Sequence, residues 1–306
     1  GYHTCAILDD GSVSCWGDNA YGQLGDGTET DRNTPTQIST LGTDRTAVVI
    51  TAGDSHTCAI LDDGSVSCWG WNTYGQLGDG TTAERNTPTQ TSSLGTGRTA
   101  VAISVGGINA CVILDDGSVS CWGSNGYGQL GDGTNADRLT PTQTSSLGTD
   151  RTAVAISAGS FYHMCAILDD GSVSCWGNNE YSQLGDGTTT DRNTPTQTSS
   201  LGAGRTAVAI SAGNYHTCII LDDGSVSCWG DNDGGQLGNG AFGAGTDQNI
   251  PTQTSSFGTD RTAVAISAGY RHTCAIFDDG SVSCWGYDDQ GQLGLSGTSS
   301  SLTPTQ

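Results

Sequence analysis

Lysine is absent from this chain. Its 10 basic residues are all arginine, they stand against 32 acidic ones, and the formal net charge is −22. Such a surface repels phosphate, which argues against nucleic acid as a partner and against an anionic membrane surface. No run of about 18 apolar residues occurs, so no segment reads as a membrane-spanning helix and membrane insertion is not expected. Apolar residues reach only 34%, with one Met and four Phe, whereas glycine numbers 47. That balance excludes a helical bundle and suits short strands joined by many turns. Catalytic signatures are missing as well: there is no nucleophile elbow, phosphate-binding loop or HExxH helix, and a non-enzymatic protein is expected. The chain opens Gly1-Tyr2-His3 without Met, as expected of a product whose export leader has been removed or not supplied.

What is present is repetition. The segment HTCAILDDGSVSCWG at 3–17 returns near His56, Asn109, His163, His216 and His272. Six repeats follow, at approximately 1–44, 45–97, 98–150, 151–204, 205–260 and 261–306, read together as one β-propeller domain. Each offers an apolar β-branched strand (RTAVAIS, as at 98–104), then HTCAIL and SVSCWG around Asp-Asp-Gly, then TPTQ, whose proline marks a sheet edge. The fold class expected is all-β, a propeller of four-stranded antiparallel blades. Six hairpins and six TPTQ-type segments (the fifth reads IPTQ) stand against only five RTAV strands. The first blade is therefore expected to lack its innermost strand. That strand would come from residues outside this span or from a neighbouring molecule, and the second route would give a homopolymer.

The hairpin fixes a register. With Asp9, Asp10 and Gly11 as the loop, Ile7 faces Val13 and Cys5 faces Cys15; Gly11 supplies the left-handed conformation such a loop needs. The twelve cysteines then fall into six facing pairs within disulfide reach: Cys5–Cys15, Cys58–Cys68, Cys111–Cys121, Cys165–Cys175, Cys218–Cys228 and Cys274–Cys284. The short C-x2-C spacing of a zinc site is absent. Disulfides in this number imply an oxidising, extracellular or cell-surface setting.

The string CWGDNAYGQLGDGT (15–28), together with AGxxHTCAILDDG before the next copy, resembles the regulator of chromosome condensation repeat across nearly the whole chain. The resemblance implies a propeller, usually of seven blades, that presents loops to protein partners. It fits the bacterial, secreted, cysteine-containing variety. The eukaryotic founder's exchange function is not carried over, because this chain has no lysine and no basic tail; inhibition of an enzyme, known in a secreted relative, remains a lesser alternative beside a secreted enzyme.

Candidate sites follow from what varies between near-identical repeats, since repeat proteins place such differences on loop faces. Trp71, Phe161, Tyr162, Tyr215, Tyr270, Arg271 and Tyr287 form a candidate face for a protein partner or for self-association, being of the residue types that dominate interface energetics. The Gly-rich loops carry Asp26/Asp31, Asp79/Glu84, Asp132/Asp137 and Asp186/Asp191. Oxygen ligands on such turns suit Ca²⁺; the alternative is a turn closed by an Asp–Arg pair and threonine hydroxyls. No other cofactor is expected. The five histidines and the recurring CWG tryptophans read as structural: strand-start hydrogen bonds and packing between blades. Adhesion or partner binding on one face is the leading functional expectation, and an extracellular filament or surface assembly is the second.

Overall fold

A computed structural model describes residues 2–258, 261–295 and 300–305. The described residues hold strands and turns. They divide into two compact units, Gly1–Ser146 and Leu147–Gln306.

In the first unit, one sheet holds β1 (His3–Ile7), β2 (Val13–Gly17) and β3 (Arg32–Gln37). A second holds β4 (Ala47–Ala52), β5 (His56–Leu61), β6 (Val66–Gly70) and β7 (Arg85–Gln90). A third holds β8 (Ala100–Val105), β9 (Asn109–Leu114), β10 (Val119–Gly123) and β11 (Arg138–Gln143). The second unit repeats the plan with β12 (Ala153–Gly159), β13 (His163–Leu168), β14 (Val173–Gly177) and β15 (Arg192–Gln197); then β16 (Ala207–Ala212), β17 (His216–Leu221), β18 (Val226–Gly230) and β19 (Gln248–Gln253); then β20 (Ala263–Ala268), β21 (His272–Phe277), β22 (Val282–Gly286) and β23 (Ser301–Thr305). All pairings are antiparallel between chain neighbours, as the hairpin spacing requires. The first sheet has three strands, in the order β1-β2-β3, and the strand expected to be missing is the one before β1. Leu8, the residue after β1, is 49% exposed, whereas its counterpart Leu61 is 1% exposed at the end of β5, beside β4.

Ile7 pairs with Val13 and Cys5 with Cys15, the register read from the sequence. Gly11 has φ +76°, and a β-carbon there would lie 2.5 Å from Thr46 Cβ, so the residue serves both the turn and the approach of the next sheet. All six cysteine pairs are disulfides. Each closes a loop ten residues apart in sequence, contributing about 3 kcal/mol by chain-entropy reasoning.

The core lies between successive sheets of a unit. Trp69 packs with Val13, Cys15, Leu24 and Leu61, and Trp229 with Ile167, Val173, Leu184 and Leu221. Both indoles are fully buried. A β-carbon at Gly25 would stand 2.7 Å from the Trp69 nitrogen, which explains a glycine at that step of the loop. A polar clasp joins the same sheets. Gln183 O accepts hydrogen bonds from Trp229 Nε1 at 2.8 Å and from Thr217 Oγ1 at 2.9 Å. Gln236 O accepts from Trp285 at 2.9 Å and from Thr273 at 3.0 Å. His163 and His216 reach those threonine hydroxyls at 3.0 and 2.8 Å. With each hydroxyl hydrogen committed to a carbonyl, the imidazole Nε2–H is the donor to the threonine. His3, His163 and His216 thus make the hydrogen bonds a structural role implies, and Trp69, Trp122, Trp176, Trp229 and Trp285 are fully buried; among the described residues His56 has no partner on either ring nitrogen.

Candidate functional site

The loops that precede each second strand and follow each third strand meet at the open end of the hairpins. Asp231 N donates to Tyr215 O at 2.9 Å, and Tyr287 N donates to Arg271 O at 2.8 Å. These bonds set the variable residues side by side. In the second unit they assemble an aromatic patch. The Phe161 ring lies 4.6 Å from Tyr215, 5.0 Å from Tyr162 and 6.5 Å from Tyr181. Tyr215 lies 4.9 Å from Tyr181 and 5.8 Å from Tyr270. Edge and tilted contacts at these distances are the favoured geometry for aromatic pairs. Tyr270 is 56% exposed and the other rings of the patch are half-buried.

The fourth repeat carries one residue more than the third in the turn before its histidine, Ser160-Phe161-Tyr162. Tyr162 consequently sits in the left-handed region, φ +64°, an uncommon state for a bulky side chain. The inserted residue is what lifts Phe161 onto Tyr215.

Arg271 ties this patch to a group of carboxylates. Its guanidinium carbon lies 5.9 Å from the Tyr215 and Tyr270 ring centres. Its Nε is 3.6 Å from Asp231 Oδ2 and its Nη2 4.0 Å from Asp233 Oδ2. Asp231, Asp233 and Asp247 offer oxygens that all lie within 4.8 Å of one another. Burial raises the Asp247 carboxyl above its ordinary value, and Asp231 and Asp233 add to this against the Asn232 hydrogen bond. Burial, then the hydrogen bond with Tyr270, pushes the Tyr215 phenol up to about 12. The nearby Glu180 charge raises Tyr181. Tyr287 bonds Asp289.

Of the seven face residues expected, Phe161, Tyr162, Tyr215, Tyr270 and Arg271 come together, and Tyr287 adjoins Arg271. Trp71 belongs to the first unit, where it packs 5.7 Å from Tyr21 and 5.6 Å from Tyr74. Tyr181 and Asp247 were not among the expected residues. Tyr181 occupies a position that is also Tyr in the first three repeats, so it does not stand out as variable. Asp247 is displaced by a three-residue insertion in the fifth repeat.

The Gly-rich loops use their acids internally. Asp26, Asp79, Asp132 and Asp186 each meet an arginine, Arg32, Arg85, Arg138 and Arg192, at 2.6, 2.7, 2.6 and 2.7 Å, with a threonine hydroxyl on the other oxygen. Asp31, Asp137 and Asp191 each accept from an asparagine backbone N–H at 2.8 Å. Glu84 is exposed. The turn closed by an Asp–Arg pair describes these bonds. No helix among the described residues is long and apolar enough to cross a membrane.

The regulator of chromosome condensation (RCC1) repeat model matches residues 10–60, 63–113, 116–166, 170–220 and 223–276. The chain belongs to the RCC1 repeat family. It is 33% identical over 305 residues to the ultraviolet-B receptor UVR8 of Arabidopsis thaliana, covering 99% of this chain and 67% of that one. It is 31% identical over 242 residues to the human E3 ubiquitin-protein ligase HERC2, covering 78% of this chain and 5% of that one. The chain thus spans two thirds of the one relative and a twentieth of the other. Among solved structures, yeast RCC1 (Prp20) bound to Kap60 superposes with TM-score 0.86 at 22% identity, over 100% of this chain and 72% of that one. Human WBSCR16 superposes with TM-score 0.85 at 22% identity, over 99% of this chain and 79% of that one. These likenesses establish the all-β propeller fold. The RCC1 repeats here carry one disulfide each.

Proposed function

We propose that this RCC1 repeat chain is a single, non-catalytic propeller domain of an oxidising, extracellular setting that binds a protein partner through its aromatic patch. The observation that carries the reading is the contiguity of Phe161, Tyr181, Tyr215, Tyr270 and Arg271 on loop ends, with Tyr270 more than half exposed. Exposed contiguous aromatics of this kind cost solvation and gain it back only at an interface. A relative called a receptor and a homologous fold solved in a complex with another protein are in keeping with it. The test compares the proteins retained by the immobilised wild-type chain and by Phe161→Ala/Tyr215→Ala/Tyr270→Ala. Selective loss from the triple variant, at unchanged melting temperature, supports the reading; identical retention overturns it.

A second reading rests on a different observation. Among the described residues no strand pairs with the free edge of β1, and Leu8 is half-exposed there. Unpaired edges template strand addition, so self-association in a filament or surface assembly would use this edge. Analytical ultracentrifugation of Leu8→Lys against wild type tests it: equal mass distributions at high concentration remove the reading.

A further inference from the structure

We propose that the aromatic patch of the second unit takes an arginine-bearing basic segment of the partner, seating a guanidinium between the Phe161, Tyr181 and Tyr215 rings and the Asp233 and Asp247 carboxylates. This rests on the reading that the patch meets a protein and adds the chemistry of what it meets.

The first support is a local charge imbalance. In four Gly-rich loops every buried aspartate has its own arginine at hydrogen-bond distance. The fifth loop breaks the pattern: Asn239 and Gln248 stand where those loops have Asp and Arg, and Asn232 bonds Asn239 instead. The fifth loop therefore contributes no cation, while Asp231, Asp233 and Asp247 cluster beside it and Glu180 lies close enough to act on Tyr181. Among the described residues Arg271 alone faces them, and at 3.6 and 4.0 Å it sits beyond hydrogen-bond reach of Asp231 and Asp233. Its buried Nε donates no hydrogen bond among the described residues. Asp231 is already satisfied, accepting from Asp233 N and Gln236 Nε2. Asp233 and Asp247 are the exposed members of the group, and a second cation gains most there.

The second support is the way the site already holds a guanidinium. Arg271 lies over tyrosine rings on one side and against carboxylates on the other. Phe161, Tyr181 and Tyr215 offer further ring faces in the same patch. A planar guanidinium stacks on such faces and forks onto a carboxylate, which an ammonium does less well. The chain's net charge of −22 draws a basic segment in, and the patch decides where it stays.

The experiment titrates the whole chain with fluorescent oligo-arginine and with oligo-lysine of equal length. Wild type is compared with Asp233→Asn/Asp247→Asn, with Phe161→Ala/Tyr215→Ala, and with Asp9→Asn/Asp10→Asn as a control for general charge. Oligo-arginine is expected to bind several-fold more tightly than oligo-lysine, and the Asp233/Asp247 and Phe161/Tyr215 variants to weaken it by about tenfold. The Asp9/Asp10 variant should change it less than about twofold. Equal affinity for the two peptides, or equal weakening by the Asp9/Asp10 and Asp233/Asp247 variants, overturns the proposal, because the attraction is then diffuse. If the triple alanine variant loses its retained proteins while Asp233→Asn/Asp247→Asn keeps them, protein binding at the patch stands and the cationic partner falls.

Discussion

His216 reaches from one blade to the next to place its Nε2 2.8 Å from the Thr273 hydroxyl. Thr273 in turn donates back to Gln236 O. The same relay runs from His3 to Thr57 to Gln23 and from His163 to Thr217 to Gln183. A fully buried imidazole is tolerable because the relay gives it one good partner.

The relay is broken at His56. The residue that should receive it is Ala110, which has no hydroxyl, and among the described residues both His56 ring nitrogens are buried without a partner. Gln76 O, the carbonyl at the end of the relay, still accepts from Trp122 Nε1 at 2.9 Å. Ala110→Thr restores the missing middle. It is expected to raise stability by about 1 kcal/mol, the worth of a buried hydrogen bond that rescues an unsatisfied group. The midpoint of urea unfolding measures this; a lower midpoint would mean that the Ala110 site has no room for the larger side chain.

The repeat made much of this architecture legible. The Cys5–Cys15 register followed from alternation and a three-residue turn, both local, and counting RTAV strands located the three-stranded first sheet. The clasp was only partly legible. Histidine and tryptophan recur visibly, but the carbonyl that a threonine and a tryptophan share belongs to Gln183 or Gln236 of the preceding blade, and backbone acceptors leave no mark on a sequence. The patch was half legible for a related reason. Phe161 and Tyr215 vary between repeats and so attract notice, whereas Tyr181 is hidden by its own recurrence. Asp247 joins Asp231 and Asp233 only after an inserted stretch folds back.

Acid should unfold this protein through its histidines before its aspartates. Burial lowers His56, His163 and His216 to about 3 and lowers His3 to about 4. In the unfolded chain these groups titrate near 6.5. Between that value and about 3 the unfolded state binds more protons, so stability is full above about pH 6.5 and falls as pH drops towards the folded values. His216→Asn cannot titrate, and Asn109, which replaces histidine in the third repeat, shows that the position accepts a neutral amide. Unfolding midpoints measured from about pH 7 to about pH 4 should fall less steeply in His216→Asn than in wild type. Parallel curves would contradict the role of the buried imidazole.

Asp288 replaces an asparagine. At the equivalent position Asn19 donates from Nδ2 to Thr28 O and Thr30 O while its Oδ1 accepts from Leu24 N at 2.9 Å. Asn125 and Asn179 do the same. Asp288 keeps the second half of this pattern, accepting from Leu293 N at 2.8 Å, but its buried Oδ2 has no partner among the described residues. Asp288→Asn exchanges an unpaired acceptor for a donor. It is expected to stabilise by about 1–2 kcal/mol, read as a higher denaturation midpoint, and no gain would show that Oδ2 is satisfied by other means.

The Asp–Arg loops allow a closed cycle of substitutions, because the fifth repeat supplies its own neutral version. Asp79 is 4% exposed at its side chain. Burial alone would raise its pKa; hydrogen bonds from Thr81 and Arg85 more than offset this and hold it below the ordinary value. Asp79→Asn leaves the Arg85 guanidinium without its carboxylate and should cost about 1–3 kcal/mol. Arg85→Gln alone leaves a mostly buried carboxylate without its cation and should cost at least as much. The pair Asp79→Asn/Arg85→Gln reproduces Asn239 and Gln248 of the fifth loop, where Asn239 Oδ1 accepts from Ala241 N at 3.0 Å and receives Asn232 Nδ2 at 3.3 Å. The double variant should therefore lie closer to wild type than the sum of the single losses, a positive coupling by thermal or urea unfolding. A chelator added to wild type should leave the midpoint in place, since arginine already supplies the positive charge at the loop carboxylate. Additive losses, or a midpoint that falls with chelator and returns with Ca²⁺, would instead assign the loop carboxylates to a metal.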